Sequence, residues 1–189
     1  MARFPRGTLV PRGDPFVTLA RAIVGQQISV KAANAVWGRV LESCPDFCPR
    51  AVLRKRATTL RGCGLSDRKV EYVRDLAQHF DREHIDISML QRSTDDEVIA
   101  RLTAVRGIGR WTAEMFLIFN LLRPDVLPLD DLGLLKAVSL NYMDGEPIES
   151  LNTRAGRARI TLLAQNWAPW RSVATWYLWR SLEPLPLGA

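Results

Sequence analysis

The chain has 189 residues, 47% of them hydrophobic, enough for one substantial core or two small lobes, and this excludes a disordered chain. Lys and Arg number 26 against 20 Asp and Glu, a net charge of +6 that favours an anionic partner. With no apolar run near twenty residues, no cationic-then-apolar leader and an odd number of cysteines (Cys44, Cys48, Cys63), the expectation is a chain in a reducing compartment without a membrane span.

Hydrophobic periodicity predicts helices and no sheet. Phe16 to Gly25 reads as the first helix. Ser29 to Leu41 is the second, with Ser29 as N-cap and Ala32, Ala33, Val36, Trp37 and Val40 on one face. Short helices are expected near Arg50 to Lys55 and Ala57 to Cys63, and a longer one runs from Ser66 to about Phe80. Thr94-Asp95-Asp96-Glu97 has capping-box spacing and opens the next helix, whose apolar run from Val98 to Ala104 stops at Arg106-Gly107-Ile108-Gly109. Trp111 to Leu122 follows at once and ends before Arg123-Pro124. Further helices are expected from near Asp131 to about Asn141, from Thr153 to Asn166 and from Trp170 to Ser181.

The pair of helices joined by Arg106-Gly107-Ile108-Gly109 carries the first chemical signal. Gly107 and Gly109 permit positive φ, and the N–H groups of Gly109, Arg110 and Trp111 at a helix start point outward together, as a phosphate grip does. About twenty residues later the adjacent carboxylates Asp130 and Asp131 stand in an otherwise apolar stretch. Basic clusters at Arg54-Lys55-Arg56, Arg61, Arg68-Lys69 and Arg154 to Arg159 suit phosphate contact, and each suits a solvated helix face at least as well.

L-x-x-V-x-G-I-G-x-W-T-A followed by P-L-D-D-L-G-L resembles the helix-hairpin-helix DNA glycosylases. Within that superfamily, A-I-V-G-Q-Q-I-S-V-K-A-A (residues 22–33), L-R-G-C-G-L-S-x-R-K (residues 60–69) and N-W-A-P-W-R-S-V-A-T-W-Y-L-W (residues 166–179) resemble the 3-methyladenine DNA glycosylase II branch. The likeness runs from about Asp14 to Pro184. It implies an all-α fold of two helical lobes with an active-site cleft between them, in a short form without an N-terminal β domain. The expected organisation is an extension at 1–13, abbreviated or part tag, a glycosylase core at 14–184 with its hairpin at about 98–122, and a tail at 185–189. Leu9-Val10-Pro11-Arg12-Gly13 matches a thrombin site of expression tags, although a native origin is favoured.

The resemblance makes Asp131 the catalytic carboxylate, with Asp130 as the alternative because a single alignment slip exchanges them. If the two diverge, Asp130 is expected toward solvent or an arginine. Trp111 occupies the place of the lysine used by lyase relatives, which implies a monofunctional enzyme that uses water. Trp111 and Trp179 would form an electron-rich base pocket with Met115, at a position where some relatives carry an aromatic. Gln27 matches the wedge that fills the duplex when a nucleotide is flipped out, and Gln26 would contact adjacent bases or the site. Arg106, Gly107, Ile108, Gly109 and Arg110 would bind phosphate, with Lys136 and Arg171 as secondary contacts. A Na or K ion at the hairpin, at Arg106 and Gly109, accompanies this motif in the superfamily. No other cofactor is expected, and no iron–sulfur cluster, because no cysteine follows Cys63. Cys44-x3-Cys48 finds no complementary pair for zinc.

The implied activity is removal of 3-methyladenine and 7-methylguanine type bases from double-stranded DNA, by a cytoplasmic monomer of bacterial type. Three other readings stand beside it: a non-enzymatic hairpin module, a metal-dependent nuclease built on Asp130 and Asp131, and a glycosylase for another damaged or mispaired base.

Overall fold

The computed structural model describes residues 11–182. Most of the 1–13 extension, the start of the Leu9 to Gly13 stretch and the 185–189 tail lie outside the described residues. No strand occurs among them, and no helix there is long and apolar enough to cross a membrane. The chain forms two compact units, residues 11–116 and the residues from 117 onward.

The first unit contains α1 (Pro15–Gly25), α2 (Val30–Ser43), α3 (Pro49–Arg54), α4 (Ala57–Gly62), α5 (Asp67–Asp81), α6 (Ile87–Arg92), α7 (Asp95–Thr103) and most of α8 (Arg110–Phe119). Short polar side chains start several of these helices by capping otherwise unpaired N–H groups, whereas α3 and α4 begin without a side-chain cap. Asp14 accepts from Val17 N, Ser29 from Ala32 N and Ser66 from Lys69 N. Thr94 and Glu97 complete the capping box, with Thr94 N donating to Glu97 Oε2 at 2.7 Å. Helix α5 is the centre, with α1, α3 and α4 packed on it. Phe16 stacks on Phe47 and meets Phe80 edge-on, both at 5.3 Å between centroids, and Trp37 closes on Phe47 at 5.0 Å. On α2 the expected face is buried at Val36, Trp37 and Val40, whereas Ala32 is exposed. Cys44 and Cys63 are core residues, and burial pushes the Cys44 thiol up.

The second unit is built on α9 (Leu132–Tyr142), with α10 (Ile148–Leu151), α11 (Arg154–Ala164) and α12 (Arg171–Ser181). Leu134, Leu135, Ala137 and Val138 of α9 share one apolar cluster with Leu151, Ile160 and Leu178. Gly156, in the first turn of α11, lies against α10, where a Cβ would stand 2.5 Å from the Leu151 Cα, so only glycine allows this approach.

Helices α6 and α10 were not expected: the four residues of α10 are about one turn, too few for a 3.6-residue period to register, and the six of α6 follow Asp86, an N-cap that the sequence reading does not use. Helix α8 stops at Phe119 rather than Leu122, because Leu122 turns left-handed (φ 54°) and the Arg123 N–H reaches back to Leu117 O at 2.9 Å. The expected Thr153 to Asn166 helix ends at Ala164 and continues as a tighter turn, Gln165–Trp167.

Residues 123–126 fasten the start of α12. Ser172 Oγ donates to Arg123 O at 2.7 Å and accepts from Val126 N at 2.9 Å, while Arg171 holds Asp125 through two side-chain bonds of 2.7 Å. That geometry overturns the assignment of Arg171 to a phosphate: its planar fork is spent on a carboxylate of its own chain. Arg171 also holds the Asp125 carboxyl below its usual range, chiefly through the side-chain hydrogen bond. A depressed carboxyl contributes stability above its unfolded pKa, about 3.9, and loses it as pH falls through the folded value. With the pair about a third exposed, the expected contribution is under about 1 kcal/mol. We expect the thermal midpoint to be level from about pH 7 to 5 and to fall below about pH 4, and Asp125→Asn to start lower but fall less steeply, as a calorimetric pH series would measure.

Candidate active site

Three groups of candidate residues lie within the units. The first is the turn into α9. Asp131 N donates to Pro128 O at 3.0 Å, closing a tight turn that delivers Asp131 as the N-cap of α9. The residue is 9% exposed, and two donors converge on one side-chain oxygen: Leu134 N at 2.6 Å and the Trp179 indole N–H at 2.7 Å, both to Oδ1. The indole lies on Phe119, with ring centroids 5.8 Å apart and planes at 19°. Gly133 makes room for it, since a Cβ there would meet Asp131 Oδ1 at 3.0 Å and the Trp179 ring at 3.2 Å. Trp179, expected as a base-stacking aromatic, thus has its polar edge committed to the carboxylate, and sequence spacing could not have shown this across 48 residues.

Asp130 and Asp131 diverge. Arg157 reaches Asp130 Oδ1 at 2.6 Å, so the neighbouring carboxylate is tied into an ion pair outside the α9 cap. Lys136 is exposed and makes no ion pair among the described residues.

The second group is the hairpin between α7 and α8. Gly107 has φ 87°, while Gly109, also expected as a positive-φ glycine, does not, because α8 begins immediately after it. A Cβ on Gly107 would stand 2.2 Å from the Tyr72 ring of α5, so the hairpin backbone rests directly on that ring. The Arg106 N–H donates to Asp75 Oδ2 at 2.8 Å, and its guanidinium pairs with Glu71 and Asp75. Ile108 is buried and its N–H donates to Val105 O at 3.1 Å. Arg106 and Ile108 are therefore parts of the hairpin's own scaffold rather than phosphate donors, a correction with a simple cause: two carboxylates of α5 lie under the turn. The Arg110 guanidinium likewise lies on Glu114 Oε1 at 2.9 Å. The N–H groups of Gly109 and Arg110 have no protein acceptor among the described residues, and they open the positive end of α8. One turn apart on α8, Trp111 is exposed at 44% and Met115 is half-buried.

The third group is the loop between α1 and α2. Gln26, expected to contact adjacent bases or the site, sends its side-chain amide into the hairpin, Nε2 donating to Gly107 O at 2.8 Å. Gln27 is exposed and left-handed at φ 58°, an uncommon conformation for a residue with a Cβ. Lys69 and Tyr72 of α5, which brace the loop and the hairpin, were not singled out as site residues. Lys69 lies at the end of the 60–69 motif and in the Arg68-Lys69 basic cluster, which suggested phosphate contact rather than a role in the loop.

Among the described residues no group of three or more His, Cys, Asp or Glu side chains is arranged to hold a metal ion. Comparison with known proteins places these features in context. Residues 20–153 match the family described as HhH-GPD superfamily base excision DNA repair protein. The chain is 33% identical over 172 residues to DNA-3-methyladenine glycosylase 1 of Schizosaccharomyces pombe, covering 89% of this chain and 72% of that protein. A DNA-3-methyladenine glycosidase from Bacillus halodurans superposes with a TM-score of 0.84 at 37% identity, over 93% of this chain and 78% of that one. The Schizosaccharomyces pombe 3-methyladenine DNA glycosylase in complex with abasic DNA follows with a TM-score of 0.76 at 30% identity, covering 95% and 86%.

The two hairpin glycines separate cleanly in this geometry. Gly107→Ala meets both a left-handed backbone and the Tyr72 ring, and an equilibrium denaturation series is expected to show a loss of about 1–3 kcal/mol. Gly109→Ala, with open space around its Cβ and no positive φ, should cost less than about 1 kcal/mol in the same series.

Proposed function

The chain belongs to the HhH-GPD superfamily of base excision DNA repair proteins, and we propose that it is a DNA glycosylase of the 3-methyladenine type, hydrolysing the N-glycosidic bond of alkylated purines in duplex DNA. The observation that carries this reading is the Asp131 carboxylate, almost buried and fixed by two N–H donors on one oxygen.

A purine methylated at N3 or N7 already bears positive charge. It departs as a neutral base, taking the bonding electron pair, and needs little acid catalysis. Positive charge then develops on the sugar as an oxocarbenium ion. A carboxylate about 4 Å away stabilises it by roughly 4 kcal/mol at an effective dielectric near 20. Asp131 is the residue for this task, and it also orients or deprotonates the water that attacks the sugar. Asp130 is the poorer choice because Arg157 already neutralises it. Trp111 offers an indole face to a cationic base, an attraction of roughly 1–2 kcal/mol when desolvated, and Met115 adds a polarisable wall one turn away. Having no amine, Trp111 forms no Schiff base, so the reaction leaves an intact strand with an abasic site.

Duplex DNA is the partner, held by a monomer. The N–H groups of Gly109 and Arg110 at the start of α8 take a phosphate of the damaged strand, and Lys136 adds a mobile cation. A Na or K ion on the carbonyls of Arg106 and Gly109 suits this turn: the Gly109 oxygen accepts one helical bond, from Ala113 N at 3.1 Å, and keeps a second lone pair. Such an ion would add positive charge beside the phosphate. Gln27 fills the gap left by the flipped nucleotide, offsetting an unstacking cost of a few kcal/mol. We place the protein in the cytoplasm, associated with DNA.

The test is base release from duplexes containing 3-methyladenine or 7-methylguanine, in EDTA, by wild type and Asp131→Asn, with alkali applied separately. Wild type should release both bases, strand breaks should appear only after alkali, and Asp131→Asn should be slower by about 10²-fold or more with duplex binding retained. Equal release by the variant would remove Asp131 from its role, and binding without release by wild type would favour a hairpin module or another lesion.

A further inference from the structure

The 60–69 motif takes no part in the chemistry assigned above, yet its last residue reaches the loop that carries Gln27. The Lys69 ammonium leaves α5 and donates to Val24 O at 2.7 Å and to Gln26 O at 2.8 Å. Those carbonyls lie at the C-terminal end of α1, where unpaired carbonyls and the negative end of the helix dipole favour a cation. Lys69 thus caps α1 from another helix, and burial lowers the pKa of its ammonium. Gln26 is held at both ends: its carbonyl by Lys69, and its side-chain amide on Gly107 O at 2.8 Å. Gly107 in turn rests on Tyr72, three residues along α5 from Lys69. The next residue in the loop is Gln27, which needs outside support to keep a left-handed backbone.

We propose that Lys69 is a positioning residue for duplex entry: by clamping Val24 and Gln26 it holds Gln27 in its left-handed, exposed conformation and fixes this loop in register with the hairpin. The inference rests on the reading of Gln27 as the group that fills the duplex. Its consequence is that phosphate binding at the hairpin presents Gln27 at a set distance along the strand. Losing the clamp therefore penalises duplex substrate, where a base must be displaced and its space filled, and spares single-stranded substrate.

The experiment uses Lys69→Met, which keeps most of the stem and removes the donors, alongside Gln26→Leu and Gln27→Ala. Amide exchange without DNA reads the clamp directly, and Lys69→Met should speed exchange at Gly25 and Gln26, whose N–H groups are bonded into the end of α1, by about tenfold or more while the core helices keep their protection. In single-turnover excision of 7-methylguanine, Lys69→Met should slow base release from the duplex by about tenfold and leave release of the same lesion from a single strand within about twofold of wild type. Adding Lys69→Met to Gln27→Ala should cost nothing further, as expected of two residues that act as one unit. Gln26→Leu, which leaves Lys69 in place, should show the same duplex-selective loss if Lys69→Met folds poorly. Unchanged exchange at Gly25 and Gln26, or equal losses on duplex and single strand, would overturn the proposal. Wild-type duplex excision by Gln27→Ala would reject the duplex-filling role of Gln27 and with it the functional consequence, and the exchange data would still decide the clamp.

Discussion

Helix α5 carries two loops that would not keep their shape alone. The hairpin turns at Gly107 in a left-handed conformation flush against the Tyr72 ring, and the Arg106 N–H is taken by Asp75 one turn further on. The α1–α2 loop ends a helix with carbonyls directed at Lys69 and continues into a left-handed glutamine. A single amide, from Gln26 to Gly107, links the two. An unmade bond at a buried carbonyl costs about 1–3 kcal/mol, so each loop has reason to hold this one shape. The expense of a non-glycine residue at positive φ is borne by the ammonium beside it.

The turn into α9 shows how one residue serves structure and chemistry together. Asp131 is an N-cap, and that role alone would explain an aspartate there. An ordinary cap does not also receive an indole N–H, and it does not require a glycine two residues on to admit the ring. The convergence on Oδ1 fixes the carboxylate's rotation, the preorganisation a charge-stabilising group needs if it is not to reorient as charge develops. Asp130, one residue earlier, has the same chemistry but a neutralising arginine, so environment rather than residue type separates the pair.

Several basic and polar residues that a sequence reading assigns to a ligand are used internally. Arg171 grips Asp125, Arg110 grips Glu114, Arg106 grips α5, and Gln26 grips the hairpin. The count of 26 Lys and Arg thus overstates the cations left for a ligand, because several arginines are paired with carboxylates of the same chain, pairs that the net charge of +6 already cancels. What the hairpin retains for an anion is backbone, the N–H groups of Gly109 and Arg110, and a backbone grip holds phosphate without reading sequence.

The sequence by itself determined the long helices, their Ser, Thr and Asp caps, the break at Gly107 and the place of Asp131 at a helix start, because periodicity and capping act within four residues along the chain. The same four-residue reach left the four-residue α10 unread and overextended α8, whose end depends on a left-handed Leu122, while α6 went unread with its Asp86 cap. Only the tertiary structure decided which oxygen of Asp131 Trp179 would hold, which carboxylate Arg157 would neutralise, and that Lys69 and Tyr72 would carry the two loops. These are contacts between residues tens of positions apart. They arise when helices pack and buried polar atoms must find partners, and no local pattern encodes which partner each will find.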